Sequence, residues 1–258
     1  MPVTQISAAN SHSLALKSDG TVVGWGLNNY GQITTDTITG ADKVIAGDKH
    51  SLAIKLDQTV VGWGRDNFGQ ITIPAGLTGV TAIAAGEGHS LALKSDQTVV
   101  GWGLNDDGEI SIPAGLTGVT AISAEENHSL ALKSDGTVVG WGKNNFGQTT
   151  IPDGLTAVTA ISAGFAHGVA LKSDETVVVW GSADFGGTAA PAGLNGVIAI
   201  SAGYTHSLAL KSDGTVVGWG SNSAGEATAP AGLTDVIAIS AGKNYSIALK
   251  SDGGVVGW

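Results

Sequence analysis

The sequence predicts an all-β fold, a seven-bladed β-propeller with three antiparallel strands per blade and a repeat of about 39 residues. Three observations carry that prediction. Tryptophans stand at Trp25, Trp63, Trp102, Trp141, Trp180, Trp219 and Trp258, spaced 38 residues once and 39 five times. Each interval holds three short segments with β patterning. No stretch sustains a helical period. A fixed spacing near 40 marks a repeat array, and sheets too small to bury their own faces stack radially into a propeller.

The third unit shows the elements in order. Val80 to Gly86 is a short strand of small and β-branched residues. His89 to Lys94 alternates, with His89, Leu91 and Leu93 on one face. Thr98 to Gly103 is a β-branched third strand. Ser-Asp-Gly or a close variant joins second strand to third as a hairpin turn. Asn, Gly and Pro break regular structure in the linker that follows. The first linker is one residue shorter than the second, which explains the spacing of 38.

The strands occur seven times and the linker six. Blades are therefore expected at about 3–26, 41–64, 80–103, 119–142, 158–181, 197–220 and 236–258, forming a single propeller over 1–258. The pattern begins at a first strand and ends at a third, so no strand should be lent across the closure. The ring is expected to close by packing alone between blades one and seven.

Composition excludes several functions. The 258 residues include 40 glycines, no cysteine and 13% charged residues, with a formal charge of −10. Without cysteine there is no disulfide framework, thiolate zinc site or thiol nucleophile. An acidic chain lacks the Lys and Arg clusters that grip nucleic acid or anionic membranes. No apolar run approaches a membrane span of about 18 residues, and Met1-Pro2-Val3 does not open a signal peptide. These features leave the compartment open and predict a monomer.

The units read G-x-x-H-S-L-A-L-K-S-D-G-T-V-V-G-W-G-x-N-x-x-G-Q, as in Gly86 to Trp102 and Gly142 to Gln148. This resembles the repeat of the regulator of chromosome condensation family, whose members are seven-bladed propellers. The short period and the stretch Trp141 to Pro152 look most similar to a bacterial branch typified by a propeller-type β-lactamase inhibitory protein. That resemblance implies a secreted bacterial inhibitor whose aromatic loop residues grip a target enzyme. Carried over by position, the aromatic match falls at Phe165 and Tyr204, whereas Asn10, Asp48, Glu87, Glu126 and Lys243 hold the slot elsewhere.

Seven copies in one chain act as their own control. Ala92, Lys94, Asp96, Val99, Val100 and Trp102 have counterparts in every unit, and so serve the blade. A catalytic centre needs different groups converging on one spot. One histidine per unit (His12, His50, His89, His128, His167, His206) suggests a metal ring, but shared ligation demands a radius that a middle strand exceeds. Tyr245 also takes the seventh position. The histidines are read as structural, each with a ring nitrogen tied to nearby backbone. Asn105 to Glu109 has calcium-loop flavour without the alternate-ligand spacing. No G-x-S-x-G, P-loop or H-E-x-x-H occurs. The expectation is no enzyme, no cofactor and no metal.

Variation concentrates on one face. The loop between first and second strands and the loop after tryptophan should share the upper end, with the Lys-Ser-Asp turns below. The upper loops hold ten acids against four bases, while seven Lys and seven Asp cancel beneath. Loops on a rigid scaffold commonly carry recognition. The candidate partner-binding residues are Phe165, Tyr204, Glu87, Asp106, Asp107, Glu126, Lys143, Asp48 and Lys243. Phe185 shares its position with Tyr30, Phe68 and Phe146, and so reads as a blade residue. A non-catalytic protein-binding module facing a basic or mixed partner surface is the leading reading. The alternatives are a β-lactamase-type enzyme inhibitor, a lectin-like binder with one site per blade, and a repeat scaffold with no partner of its own.

Overall fold

A computed structural model describes residues 1–182 and 189–258. Seven separate three-stranded sheets are present, each built from consecutive strands in antiparallel order. The inner strands are Val3–Ala8, Ala41–Ala46, Val80–Ala85, Val119–Glu125, Val158–Ala163, Val197–Ala202 and Val236–Ala241. The middle strands are His12–Lys17, His50–Lys55, His89–Lys94, His128–Lys133, His167–Lys172, His206–Lys211 and Ser246–Lys250. The outer strands are Val22–Gly26, Val60–Gly64, Val99–Gly103, Val138–Gly142, Val177–Gly181, Val216–Gly220 and Val255–Gly257. The fold is the seven-bladed propeller that the tryptophan spacing predicts.

Every inner strand slips by one residue near its start, as where Val80 faces Lys94 but Ala82 faces Leu93. Such bulges strengthen the local twist. The inner strands line a central cavity of about 110 Å³, bordered by Ser7, Ser123, Ser162, Ser201, Ser240 and Glu125 among others. Ser7 Oγ accepts from Ala46 N–H at 3.0 Å, Ser123 from Ala163 at 2.9 Å and Ser240 from Ala8 at 2.8 Å. Side-chain oxygens thereby tie inner strands together at five of the seven blade boundaries; Ile45 and Ala84 hold the position in blades two and three.

The core is a set of clusters between blades rather than one central mass. Leu91 and Leu93 of blade three meet Val119, Ala131 and Trp141 of blade four, with Ile110, Ile112 and Leu116 of the intervening linker packed against them. Small residues on the other face of the middle strand, such as Ser90 and Ala92, are equally buried. Blades thus sandwich one another, as units too thin to bury themselves must.

The lower turns behave as expected. Asp96 Oδ1 accepts from Thr98 N–H at 3.1 Å, and Lys94 lies 2.8 Å from Asp96. Lys94 and then Thr98 hold the Asp96 carboxyl down at about 2. The third turn residue is left-handed: Gly136 has φ +77°, yet Gln58, Gln97 and Glu175 adopt φ +64° to +66° in the same place.

Closure departs from expectation in one respect. No strand is lent, but packing is not alone. Tyr245 Oη meets Ser13 Oγ at 2.8 Å and donates to the His12 carbonyl at 2.7 Å. Lys243 N–H reaches the Ala9 carbonyl at 3.2 Å. Blades seven and one are thus joined by hydrogen bonds from backbone and side chain, and Tyr245, standing where other blades have histidine, adds one to the His12 carbonyl.

Candidate functional site

The histidine position shows how the blades are locked. His12 Nε2 lies 2.9 Å from Ser51 Oγ, His50 3.0 Å from Ser90, and His89 3.1 Å from Ser129. Each serine belongs to the next blade, which corrects the expected backbone partner. Ser51 Oγ donates to the Gln32 carbonyl at 2.9 Å, and Ser90 to Gln70 at 2.8 Å. A hydroxyl has one proton to give, so these serines accept from histidine Nε2–H. Trp63 Nε1 and Trp102 Nε1 donate to the same two carbonyls, both at 2.9 Å. His128 differs because Gly168 stands where the next blade elsewhere offers a serine, and both its ring nitrogens are buried without a partner.

Burial holds all six imidazoles well below their usual 6.5, to about 4 for His12, His167 and His206 and about 3 for His50, His89 and His128. They are held neutral, and five of the six bond a serine of the next blade.

The upper end is where different chemistries meet. Arg65 N–H bonds the Lys49 carbonyl at 2.9 Å, and Lys143 N–H bonds Asn127 at 2.9 Å. These bonds place the post-tryptophan loops beside the loops that join inner to middle strands. The latter are linked around the axis: Asp48 N–H donates to Gly86 at 3.2 Å, Glu87 to Glu126 at 3.0 Å, and Tyr204 to Gly242 at 3.1 Å.

This ring gathers several predicted residues at the cavity mouth. Phe165 and Tyr204 stack with centroids 4.1 Å apart at 26°. Lys243 Nζ lies 4.4 Å from the Tyr204 ring centre, a cation–π contact. Burial first, and then Glu126, Glu125, Glu87 and Asp48, pushes the Tyr204 hydroxyl up to about 12. Acids from blades two, three and four therefore act on an aromatic of blade six across the mouth.

Asp106, Asp107 and Lys143 form a second, outer group. Asp107 lies 3.9 Å from Lys143 and accepts from Asn127 Nδ2 at 3.0 Å, while Asp106 is exposed. Lys143 connects the groups electrostatically, since its charge also favours the Glu126 carboxylate. Asp48 is mostly buried against Lys49 at 2.8 Å, so it offers less charge to a partner than its position suggests. Phe185, together with Asp184, lies outside the described residues. Its counterparts Tyr30, Phe68 and Phe146 are exposed rather than core residues, and Arg65 stands 5.6 Å from Tyr30 and 5.2 Å from Phe68.

Two upper acids are misplaced by sequence alone. Glu109 and Glu226 are fully buried. Glu109 accepts from Asp107 N–H at 2.9 Å and Glu226 from Ala224 N–H at 2.7 Å, as Gln70 does from Phe68 at 2.9 Å. They brace loops, which removes them from the accessible charge.

Glu125 was absent from the predicted residues and lines the central cavity beside them. It occupies a position held by Gly47, Gly86, Gly164, Gly203 and Gly242 in other blades, and that departure was its only signal. The inner strand runs one residue longer here, pairing Glu125 with His128, and Glu126 turns the chain at φ +44°. Burial, then Glu126, raises the Glu125 carboxyl to about 8, and burial, then Glu87, raises Glu126 to about 7. An acid whose folded value exceeds its unfolded 4.5 favours the fold at low pH and loses that contribution as pH rises to about 8. Glu125→Gln should therefore stabilise progressively, its benefit growing by ~1–2 kcal/mol between pH 6 and 8.5. Urea unfolding at the two pH values measures this.

The family model of the regulator of chromosome condensation (RCC1) repeat matches residues 3–32, 42–70, 80–109, 119–148, 158–186 and 197–226. Comparison with curated protein sequences gave no match. Among solved structures, yeast RCC1 (Prp20) bound to Kap60 is similar at TM-score 0.80 and 20% identity, over 97% of this chain and 81% of that one. Prp20p from Saccharomyces cerevisiae, described with its binding to Gsp1p and histones, gives 0.78 and 21%, over 97% and 84%. The CRINKLY WD40 ectodomain of the Arabidopsis thaliana receptor kinase ACR4 gives 0.81 and 21%, over 100% and 97%. With six repeats matched across most of its length, the chain belongs to the regulator of chromosome condensation (RCC1) repeat family.

Proposed function

We propose that this protein is a non-catalytic protein-binding module whose partner docks on the upper face, over the cavity mouth. The observation that carries the reading is the Phe165–Tyr204 stack at 4.1 Å, half-buried beside Lys243 and a group of carboxylates from three other blades. Aromatics held rigid beside charge are the usual anchors of protein interfaces. Rigidity matters because an ordered side chain loses little further entropy on binding.

The similar propellers lend support at the level of family and fold. Yeast RCC1 was solved with Kap60, and Prp20p is described with Gsp1p and histones. The acids at the mouth suit a partner with a basic or mixed surface, while Lys243 and Lys143 keep the face from being uniformly negative. Among the described residues the upper loops combine no nucleophile, base and oxyanion donors in one place, so recognition rather than turnover is the reading the geometry favours.

The test is affinity capture on the immobilised chain, followed by titration of the captured protein. Phe165→Ala with Tyr204→Ala should weaken binding by ~30-fold or more. Lys94→Ala with Lys133→Ala, in the lower turns, should leave it unchanged. The opposite pattern would sink the proposal.

A further inference from the structure

Arg65 is the only arginine in the chain. It follows the outer strand of blade two, at the position held by Leu27, Leu104, Lys143 and Ser221 in other blades. Its guanidinium lies over two rings, 5.6 Å from Tyr30 of blade one and 5.2 Å from Phe68 of its own blade. Both rings are exposed, yet both stand on loops braced by a buried glutamine. Tyr30 N–H donates to Gln32 and Phe68 N–H to Gln70, each at 2.9 Å. Phe68 also rests on blade three, where a Cβ added at Gly88 would stand 2.9 Å from Phe68 Cδ2 and 3.1 Å from Leu104 Cβ. Three consecutive blades thus hold one cation against an exposed aromatic surface.

The charge of Arg65 is unmatched. Among the described residues its guanidinium makes no hydrogen bond or ion pair; Nε is buried without a partner, while neither terminal nitrogen is buried. Lys49 feels Arg65 as a second positive charge. The acids nearby are engaged elsewhere. Asp66 accepts from Ile71 N–H at 3.0 Å and from Thr72 Oγ1–H at 2.9 Å, and Asp48 holds Lys49 at 2.8 Å. Glu87 acts on Glu126 and Tyr204 at the cavity mouth. Blade four shows the matched arrangement. Lys143 holds the Arg65 position there, and the preceding blade supplies Asp107, 3.9 Å away, where blade one supplies Tyr30.

We propose that Arg65, Tyr30 and Phe68 form a docking site for an acidic segment of a protein partner, separate from the Phe165–Tyr204 anchor. A Glu or Asp carboxylate of that segment takes the two terminal nitrogens of Arg65, in the paired geometry a guanidinium favours. An adjacent apolar side chain covers Phe68 and Leu104. The rings exclude water from one side of the ion pair, which makes it stronger than a fully exposed one. The chain carries −10 overall and so repels a long acidic run; the site selects one or two carboxylates beside an apolar residue. The proposal rests on the protein-binding reading for the nature of the ligand, and on Arg65 alone for its position.

The probe is the peptide acetyl-Ser-Glu-Leu-Glu-Ser-amide, titrated into the nitrogen-15-labelled full chain. A sole arginine gives one Nε–H resonance, so the site reports on itself. That resonance should move and saturate, with a Kd of ~0.1–1 mM for so small a ligand. The same peptide with Gln for both Glu should leave it unmoved. Arg65→Lys keeps the charge but loses the fork, and should weaken binding about fivefold or more, read at the amides of Asn67 to Gly69. Arg65→Gln should abolish binding, with the remaining amide resonances unchanged to show that the fold is kept. Phe165→Ala with Tyr204→Ala should leave the peptide affinity as it was, so failure of the cavity-mouth anchor is separable from failure here. The proposal is overturned by an absent or unsaturable shift, by an equal response to the Gln peptide, or by undiminished binding to Arg65→Gln. It is overturned also if the Phe165 and Tyr204 double variant loses the peptide, since the cavity mouth would then be what reads the acids.

Discussion

Replacing Trp141 with alanine should lower stability by ~3–5 kcal/mol, whereas the identical change at Trp25 should lower it by less than ~1 kcal/mol. The two residues hold the same repeat position. Trp141 is 6% exposed, packs on Leu91 and Leu93 of the preceding blade, and donates to the Glu109 carbonyl at 2.7 Å. Its removal leaves a cavity between two blades and takes from the Glu109 carbonyl one of its two donors, the other being Ser129 Oγ at 2.9 Å. Trp25 is 37% exposed, so its truncation removes little that is buried. Chemical denaturation of both variants checks this, and equal losses would refute the unequal junctions.

Stability should also fall steeply as pH drops below 6.5. The cause is burial, which holds His12, His167 and His206 at about 4 and His50, His89 and His128 at about 3. A histidine whose folded value is depressed binds fewer protons folded than unfolded. Its contribution is therefore full above 6.5 and is lost as pH falls through the window from 6.5 towards 3–4. At pH 5 each such group loses about 2 kcal/mol, and several together rival the 5–15 kcal/mol by which domains are stable. Glu125 and Glu126 act in the opposite sense between about 4.5 and 8, but they are outnumbered. Urea midpoints at pH 7, 6 and 5 should decline sharply, and His89→Gln should shallow the decline by one proton. A flat profile would show that the imidazoles are not buried as neutral groups.

Much of the fold was legible because repetition turns a weak local signal into a strong one. A single Thr-Val-Val-Gly-Trp-Gly segment is ambiguous, but its recurrence at a constant interval leaves few architectures. The upper face was legible for the same reason in reverse, since Phe165, Tyr204 and Lys243 stand where other copies differ. Glu125 was harder to see. It interrupts a run of glycines, but only the strand lengthened to His128 places it at the cavity mouth. Glu109 shows the limit most clearly: as a carboxylate in a variable loop it reads as surface charge, yet it is buried and bonded to Asp107 N–H.

The sequence by itself determined the number of blades, the strands within each and the end at which variation gathers. Those properties are local and periodic: residue alternation and turn chemistry act within about 25 residues and repeat with the chain. Tertiary structure alone decided what each copy does. The Ser51 hydroxyl is a histidine partner only because blade one lies against blade two. Trp25 and Trp141 end identical stretches, residues 12–26 and 128–142, and are unequal in space. The reason is that each face is completed by the next blade and the linker between them, contacts some 40 residues apart that no single repeat contains.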